Sequence, residues 1–278
     1  MQVRVSELFR GLQGEGKYVG TPSVFLRLWG CTLKCAGFGM PKGCISTEAD
    51  EIAKHADMYK LYDDLPLVAT GCDSYPSWHP AFKHLSPLIE IDDIMHKIIN
   101  TLPNQHWGRN HLVITGGEPL LWQDRLIYII SHRDMGGCEC ITFETNGTQP
   151  LSTNFNKFLV NYCNNFGRDR IIFSISPKLS CSGNDISKTV KIDVIKEYCK
   201  SFNGYLKFVV GTDEDVQEVL RIVDSLGSLD VDVYLMPVGG TTEGFYKTDK
   251  QVADLSLKYG FKYSDRLHIR LFGNSWGS

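Results

Sequence analysis

The amino-acid sequence predicts an α/β fold, either a β/α barrel or an open, doubly wound sheet. Three observations predict it: short apolar runs rich in β-branched residues, amphipathic helical patterns between many of these runs, and glycine-rich polar turns directly after several of them. Nearly continuous apolar runs are typical of parallel strands that are buried on both faces. Strands that alternate with helices form parallel sheets through right-handed crossovers.

Predicted strands and helices follow one another along most of the chain. Apolar runs predict strands at residues 23–28, 111–114, 140–143, 171–175, 205–210, 231–236 and 267–271. Apolar residues at helical spacing predict helices at residues 91–102, 123–132, 153–164, 192–202, 213–226 and 249–259. Residues 36–90 break the alternation and hold one charged helical segment, at 47–62. We therefore predict a single domain, residues 1–278, with an insertion at residues 36–71.

Composition and charge argue against several classes of function. The chain of 278 residues has a net charge of -3, which gives no strongly basic surface for nucleic acid. No apolar run approaches the roughly 20 residues that cross a bilayer, and the first residues lack the apolar core of a signal peptide. We expect a cytoplasmic protein that binds neither a membrane nor nucleic acid directly.

The chain has nine cysteines, an odd number, which do not form a disulfide framework. Cys31 and Cys35 directly follow the first predicted strand, so both thiols emerge at its carboxyl end. The two thiols can share one soft metal, but a zinc site or two unrelated thiols would explain this pair alone equally well. Five other cysteines are interpreted as small apolar residues in or near the core: Cys138, Cys140, Cys163, Cys181 and Cys199.

Polar, glycine-rich turns follow four of the predicted strands. Their sequences are TGGEP (115–119), ETNGT (144–148), SPK (176–178) and MPVGG (236–240). Glycine lets the backbone approach a ligand closely, and the carboxylate in TGGEP can accept hydrogen bonds from an ammonium group. Because the carboxyl ends of parallel strands lie along one edge of a sheet, the four turns predict one shared site.

Cysteines after the first strand, together with Gly-Gly-Glu-Pro after a later one, resemble the radical S-adenosylmethionine superfamily, in which three cysteines bind a 4Fe–4S cluster. Within it, the chain is similar to the 7-carboxy-7-deazaguanine synthase (QueE) family. The similarity lies in ELFRGLQGEG (7–16), GTPSVFLRLWGC (20–31) and residues 144–148, 176–178, 206–210, 236–239, 266–268 and 272–274. It covers nearly the whole chain except the insertion and implies a partial β/α barrel of the radical S-adenosylmethionine type with an inserted loop region.

The resemblance implies an activity, cofactors and partners. A reduced 4Fe–4S cluster would cleave S-adenosyl-L-methionine to a 5′-deoxyadenosyl radical, which takes hydrogen from 6-carboxy-5,6,7,8-tetrahydropterin. Ring contraction with loss of ammonia would give 7-carboxy-7-deazaguanine, and the sequence leaves open whether this product serves tRNA or DNA modification. The family also implies Mg²⁺ beside the pterin substrate, an electron donor such as flavodoxin or ferredoxin, and a homodimer.

The third cluster cysteine departs from the family's pattern. The family has it three positions after the second cysteine, before Asp-Thr, but this chain has Phe38 there. Cys72, followed by Asp73 and Ser74, restores the Cys-Asp-hydroxyl sequence, so we favour Cys72 as the displaced third ligand. Cys44 is the rival ligand, and loss of the cluster is the remaining alternative. Ser74 would replace the family's Mg²⁺-binding threonine, since a hydroxyl is a hard oxygen ligand.

The resemblance assigns the site residues position by position. Cofactor contacts fall on Gly71, Asp73, Gly117, Glu118, Ser176, Pro177 and Lys178. Substrate contacts fall on Leu12, Gln13, Gly14, Glu15, Arg27, Thr115 and His268, and metal ligands on Cys31, Cys35, Cys72 and Ser74. Arg27 would bind the pterin carboxylate through its planar guanidinium, or else be an internal ion-pair partner. His268, in the last predicted strand, is either a substrate contact or an ordinary core histidine.

Two other functions remain as alternatives. A glycyl-radical enzyme activase shares the cysteine motif, but it would need a docking surface where residues 12–15 and Arg27 indicate a pterin pocket. A zinc-binding interaction module is the non-enzymatic alternative, and a brown protein with broad absorbance near the blue would exclude it.

Overall fold

The computed structural model describes residues 1–278 and contains one sheet of nine strands. The strands are β1 (Gln2–Leu12), β2 (Pro22–Leu28), β3 (Leu88–Glu90), β4 (His111–Gly116), β5 (Ile141–Thr145), β6 (Ile171–Ile175), β7 (Asn203–Val210), β8 (Asp232–Pro237) and β9 (Lys262–Tyr263). The helices are α1 (Glu48–Ala53), α2 (Ile91–Thr101), α3 (Gln123–Ile130), α4 (Thr153–Phe166), α5 (Ile186–Thr189), α6 (Ile192–Ser201), α7 (Asp213–Leu226), α8 (Thr242–Tyr259) and α9 (Leu267–Phe272). None of these helices is both long enough and apolar enough to span a membrane.

The sheet is a partial barrel. Its strands lie in the order β3-β1-β2-β4-β5-β6-β7-β8-β9, and the outermost strands, β3 and β9, do not pair with each other. β1 is antiparallel to β2 and β3, whereas β2 and β4 to β9 run parallel. The α/β class and the incomplete barrel predicted from the sequence are therefore confirmed. The shared direction brings the carboxyl ends of β2 and β4 to β8 to one edge of the sheet.

An apolar core of 42 buried residues holds the sheet and its helices together. β6, with the sequence IIFSI, is buried along its whole length, as a strand covered on both faces must be. Helix α2 buries Ile91, Ile94 and Ile98, which lie on one face at helical spacing. Helix α7 begins with a capping box between Thr212 and Asp215, which satisfies amide groups at its first turn.

The predicted strand at residues 267–271 is wrong, because these residues form helix α9. The backbone amides of Ile269 and Arg270 donate to the carbonyl of Arg266, as in a helical turn. Gly273 ends the helix in the left-handed conformation, at φ 64°. The short strand β9 already occupies the free edge of β8. His268 therefore lies on a helix and not in a strand.

The structure also differs from the sequence prediction at β1 and at the start of α8. β1 is not predicted by the apolar runs, because it is an antiparallel strand near the edge of the sheet and buries only some of its residues. Helix α8 begins earlier than residue 249, because Thr241 caps it by accepting a hydrogen bond from the amide of Gly244 at 3.2 Å.

The segment that interrupts the strand-helix alternation folds around a small core of its own. The charged part at 47–62 is an α-helix only in α1, and single 3-10 turns follow at Ala56–Met58, Tyr62–Asp64, Tyr75–Ser77 and Pro80–Leu85. The small core consists of Ala56, Tyr62, Leu65, Val68, Tyr75 and Phe82. Trp276 packs on it from the C-terminal segment and donates its Nε1 hydrogen to the carbonyl of Leu65 at 2.7 Å. The segment is therefore a folded unit that is fastened to the barrel.

Candidate functional site

A cavity of about 240 Å³ lies at the edge where the parallel strands end. Its wall includes a residue in or after each of β2 and β4 to β8: Cys31, Gly117, Asn146, Ser176, Val209 and Gly239. Gly117 comes so close to the cysteine loop that a β-carbon on it would lie 2.3 Å from the carbonyl oxygen of Gly30. Glycine is therefore required at this point. The structure thus brings the four polar turns to one cavity.

Cys31, Cys35 and Cys72 all line this cavity, although Cys72 is far from the other two in the sequence. Burial raises the pKa of the Cys31 thiol to about 12. Burial also raises the pKa of Cys72, and the neighbouring Cys35 raises it further. Cys44 is exposed and does not line the cavity. The geometry therefore places Cys72, and not Cys44, with the first two thiols.

The three thiols fit a 4Fe–4S cluster better than a single metal ion. No group of three or more cysteine, histidine or acidic side chains converges closely enough to bind one ion. Around a 4Fe–4S cluster each cysteine binds a different iron, so the thiols need only face a common space. All nine cysteines are free, so no disulfide competes for the three that face the cavity.

Hydrogen-bond donors surround two of the thiols. The Nδ2 group of Asn184 lies 3.5 Å from Sγ of Cys35. The backbone amide of Leu33 lies 3.5 Å from Sγ of Cys31, and Nδ2 of Asn146 lies 3.9 Å from the same sulfur. Donors to cysteine sulfur stabilise a bound cluster's negative charge and influence its reduction potential.

All the predicted site residues line the cavity except Glu118 and Pro177. The carboxylate of Glu118 is fully buried and accepts hydrogen bonds from the amide of Leu120 at 3.0 Å and the amide of Asn146 at 2.8 Å. It also accepts from the hydroxyl of Thr145 at 2.9 Å. Burial raises its pKa to about 7. These hydrogen bonds fix Asn146 beside Cys31. The contact between this carboxylate and a cofactor ammonium group stays a prediction.

Glu15 is the centre of a buried charge network. Its carboxylate lies 2.5 Å from Nζ of Lys207 and 3.0 Å from Nε of Arg266. Burial alone would raise the pKa of Glu15, but these two cations more than offset it and hold the pKa well below its usual range. Glu15 is therefore an anion that is already paired within the protein.

Glu144 joins the neighbouring polar residues. It accepts a hydrogen bond from Nε2 of Gln13 at 3.1 Å and another from the hydroxyl of Thr115 at 3.0 Å. Nζ of Lys207 lies 4.0 Å from the same carboxylate. Gln13, Thr115, Glu144 and Lys207 all line the cavity, so donors and acceptors alternate along this part of its wall. Such a wall suits a small polar heterocycle.

Arg27 forms the internal ion pair that is one of the two roles left open by the sequence. Its Nε lies 2.6 Å from the carboxylate of Glu7, and its Nη1 donates to the hydroxyl of Ser74 at 3.1 Å. Its Nη2 has no protein partner, while the side chain lines the cavity. Glu7 thus fixes one edge of the guanidinium and leaves donor capacity for an anion in the cavity.

Arg266 connects Glu15 to the segment that contains Cys72. Its Nη2 lies 2.5 Å from the carboxylate of Asp73, its Nε binds Glu15, and its Nη1 donates to the carbonyl of Gly239. Asp73 directly follows Cys72 and precedes Ser74 in the sequence. One guanidinium therefore holds the Cys-Asp-Ser segment against the end of β8.

Gly14 and His268 are in close contact. A β-carbon on Gly14 would lie 2.1 Å from Nδ1 of His268. Burial lowers the pKa of His268, and the nearby Glu15 acts in the opposite direction. Both residues line the cavity.

Sequence reasoning did not select four charged residues of this site: Glu7, Glu144, Lys207 and Arg266. A signal for two of them exists, since Lys207 and Glu144 interrupt apolar strand runs. A charged residue in a buried strand requires a partner, which makes it a candidate for a site.

Comparison with models of known protein families finds no match. Individual relatives do match over nearly their whole length. The chain is 30% identical over 278 residues to the 7-carboxy-7-deazaguanine synthase of Pyrobaculum aerophilum, covering 99% of this chain and 97% of that protein. It is 28% identical to that of Halobacterium salinarum, with 98% and 91% covered, and 27% identical to that of Rhodopirellula baltica, with 99% and 88% covered.

The fold has a counterpart among solved structures. The crystal structure of QueE from Escherichia coli superposes with a TM-score of 0.59 at 19% identity, covering 96% of this chain and 95% of that one. At this identity the likeness concerns the fold. The sequence relationship, at 30% identity along nearly all of both chains, shows that this chain belongs to the 7-carboxy-7-deazaguanine synthase family.

Proposed function

We propose that this chain is a radical S-adenosylmethionine enzyme that converts 6-carboxy-5,6,7,8-tetrahydropterin to 7-carboxy-7-deazaguanine with loss of ammonia. The observation that carries the proposal is that one cavity is lined both by three thiols and by a charged, hydrogen-bonding wall. The relatives share the synthase name, and none of those described above is an activase.

We assign the cofactor-facing residues as follows. Cys31, Cys35 and Cys72 hold the 4Fe–4S cluster, while the backbone of Gly117 and the side chains of Ser176 and Lys178 contact S-adenosyl-L-methionine. When bound, the two cofactors supply a 5′-deoxyadenosyl radical. Nζ of Lys178 donates to the Ser176 hydroxyl at 2.8 Å, which presents the ammonium group at the cavity wall. A cationic lysine there suits the carboxylate of the methionine moiety.

The chain's own residues bind and orient the pterin. Arg27, held by Glu7 and Ser74, binds the pterin carboxylate through the donor hydrogens that these two partners leave free on its guanidinium. Gln13, Glu15, Thr115 and Glu144 offer hydrogen-bond partners to the ring. Their paired state in the structure keeps each group oriented before the ligand enters, so little reorganisation accompanies binding.

The proposal includes several features that come from the resemblance. The cluster is reduced by an electron donor such as flavodoxin or ferredoxin, the protein is cytoplasmic, and two copies form a homodimer. Residues 36–71 are an insertion within a single domain. This is supported by the small apolar core, because four of its six residues, Ala56, Tyr62, Leu65 and Val68, lie in this segment.

A direct experiment tests the activity. The protein is reconstituted anaerobically with iron and sulfide, then incubated with the pterin, dithionite and Mg²⁺, with and without S-adenosyl-L-methionine. We expect 7-carboxy-7-deazaguanine and a catalytic amount of 5′-deoxyadenosine by mass spectrometry, in the complete mixture only. Cofactor cleavage without the deazaguanine would mean a different substrate, and failure to bind iron would contradict the whole proposal.

Ser74 is proposed as the hydroxyl ligand of Mg²⁺. It donates to the carboxylate of Asp73 at 3.3 Å, so two hard oxygen groups lie together. Ser74→Ala is expected to raise the Mg²⁺ concentration for half-maximal activity ~10-fold or more, while iron content stays the same. Ser225→Ala, at an exposed serine on α7, is the control. An unchanged Mg²⁺ response in Ser74→Ala would remove this residue from the metal site.

Asn184 is expected to raise the reduction potential of the cluster by donating to Cys35. Reduction adds negative charge, so removal of the donor disfavours the reduced state. In Asn184→Ala the ratio of reduced to oxidised cluster at a fixed potential should fall about tenfold, equal to about 59 mV for one electron. Redox titration followed by electron paramagnetic resonance measures this ratio, with the exposed Asn164→Ala as control. An unchanged midpoint with a full cluster would show that Asn184 has no such role.

A further inference from the structure

Residues 36–71, between Cys35 and Cys72, form an excursion from the barrel. Hydrogen bonds join the two ends of this excursion, and we call the place where they meet the foot. The amide of Ser46 donates at 2.7 Å to the carbonyl of Ala36, the residue directly after Cys35. The amide of Gly71, directly before Cys72, donates to the carbonyl of Phe38 at 2.8 Å. The chain that leaves after Cys35 is therefore brought back to the same place when it reaches Cys72.

A single carboxylate closes the foot. One oxygen of Glu48 accepts from the amide of Ala69 at 2.7 Å, and the other accepts from the amide of Thr70 at 3.0 Å and from the Thr70 hydroxyl. The Thr70 hydroxyl also contacts the hydroxyl of Ser46 at 2.7 Å. We call Ser46, Glu48 and Thr70 the clasp. It joins Ser46, whose amide is bonded to Ala36, to the last residues before Cys72.

The role of Glu48 differs from that of other acidic residues in the same helix. Glu48, Asp50 and Glu51 all lie in the first turn of α1, where the helix dipole stabilises negative charge. Glu51 binds only the exposed Lys54, three positions along the same helix, at 2.5 Å. Glu48 alone binds backbone amides on the far side of the excursion. Its contacts therefore hold α1 beside Ala69 and Thr70, in addition to stabilising the helix.

A displaced ligand needs such a device. In a short cysteine motif the thiols are close in space because they are close in the sequence. When a long loop separates them, bringing its ends together costs conformational entropy. A charge-assisted hydrogen bond to two successive amides makes that closure favourable before any metal is bound. The Asp73 ion pair with Arg266 then fixes the closed foot against the barrel.

We propose that Glu48 is a positioning residue that closes the foot of the excursion and holds Cys72 beside Cys35, so that the third cluster ligand is in place before the cluster assembles. This inference rests on the proposed assignment of Cys72 as a cluster ligand. It assigns a role in cluster assembly to a residue that contacts neither cofactor nor substrate.

Two measurements on Glu48→Ala test the clasp. In the full-length, cluster-free protein, trypsin should cleave after the exposed Lys54 and Lys60 several-fold faster than in wild type, because the foot opens. In the reconstituted protein, iron release to a chelator should be about tenfold faster. Glu48→Gln, which keeps one acceptor oxygen, should give an intermediate rate. Glu51→Ala is the matched control and should resemble wild type in both measurements.

Each outcome decides the proposal. Wild-type cleavage and wild-type iron release in Glu48→Ala would overturn it, and so would faster cleavage with unchanged iron release, since Cys72 would then be held by something else. If Glu48→Ala does not fold, Thr70→Val is used instead. It removes the hydroxyl that binds Glu48 and Ser46, and it should show the same changes to a smaller extent. A Cys72→Ala protein that keeps its cluster would defeat the ligand assignment, whereas the cleavage rates would still report separately on the clasp.

Discussion

Cys72→Ala is expected to lose both its iron–sulfur cluster and all turnover, whereas Cys44→Ala should keep iron, sulfide and activity near wild type. Cys72 lines the same cavity as Cys31 and Cys35, and Cys44 is exposed outside it. A site with only three protein ligands retains two when Cys72 is removed, and no other cysteine lines the cavity to replace it.

The measurement is iron and sulfide content after anaerobic reconstitution, together with the absorbance and electron paramagnetic resonance spectra of the cluster. Cys31→Ala and Cys35→Ala should give the same loss as Cys72→Ala. A result in which Cys44 is essential and Cys72 is dispensable would move the whole Cys-Asp-Ser assignment, including Ser74. If both were dispensable, the cluster would have to use a different third ligand.

Arg27→Lys is expected to raise the KM for the pterin about 10- to 100-fold, because two charge-assisted hydrogen bonds to a carboxylate are lost or weakened. A lysine can still pair with Glu7, which limits the effect on folding. It cannot present a second planar edge to the ligand. Cleavage of S-adenosyl-L-methionine in the absence of pterin should change much less.

Steady-state kinetics with varied pterin measure this effect, and a thermal unfolding scan shows whether the variant is folded. Arg10→Lys is a matched control, since Arg10 lies on β1, binds Asn110 at 2.9 Å and does not line the cavity. An unchanged KM in Arg27→Lys would mean that the ion pair with Glu7 is the whole function of Arg27. A parallel loss of cofactor cleavage would place Arg27 on the cofactor side.

The sequence predicts the parallel part of the sheet well for a physical reason. The strands β2 and β4 to β8 are covered on both faces, so burial alone produces continuous apolar runs. The run at 267–271 lacks this continuity, because Leu267, Ile269 and Leu271 alternate with polar residues, as in a half-buried strand. Only Ile269 is buried in helix α9, so the alternation does not reflect a buried sheet face.

The charged part of the site could not be predicted from local patterns. Glu15 and Arg266 lie at opposite ends of the chain and meet only because the barrel brings β1 beside the segment that follows β9. The internal role of Glu118 was also not predictable, since a carboxylate in a glycine-rich turn suits a ligand as well as it suits buried amides. The Cys-Asp-Ser sequence did point to Cys72, because it resembles the Cys-Asp-Thr sequence at the third cysteine of the family, and Cys72 lines the cavity with Cys31 and Cys35.

The position of Arg266 has a thermodynamic consequence. Its guanidinium binds Glu15, which lines the cavity, and Asp73, which is adjacent to the proposed cluster ligand. The two ion pairs therefore share one cation. By linkage, any factor by which cluster assembly strengthens pterin binding must equal the factor by which the pterin strengthens retention of the cluster.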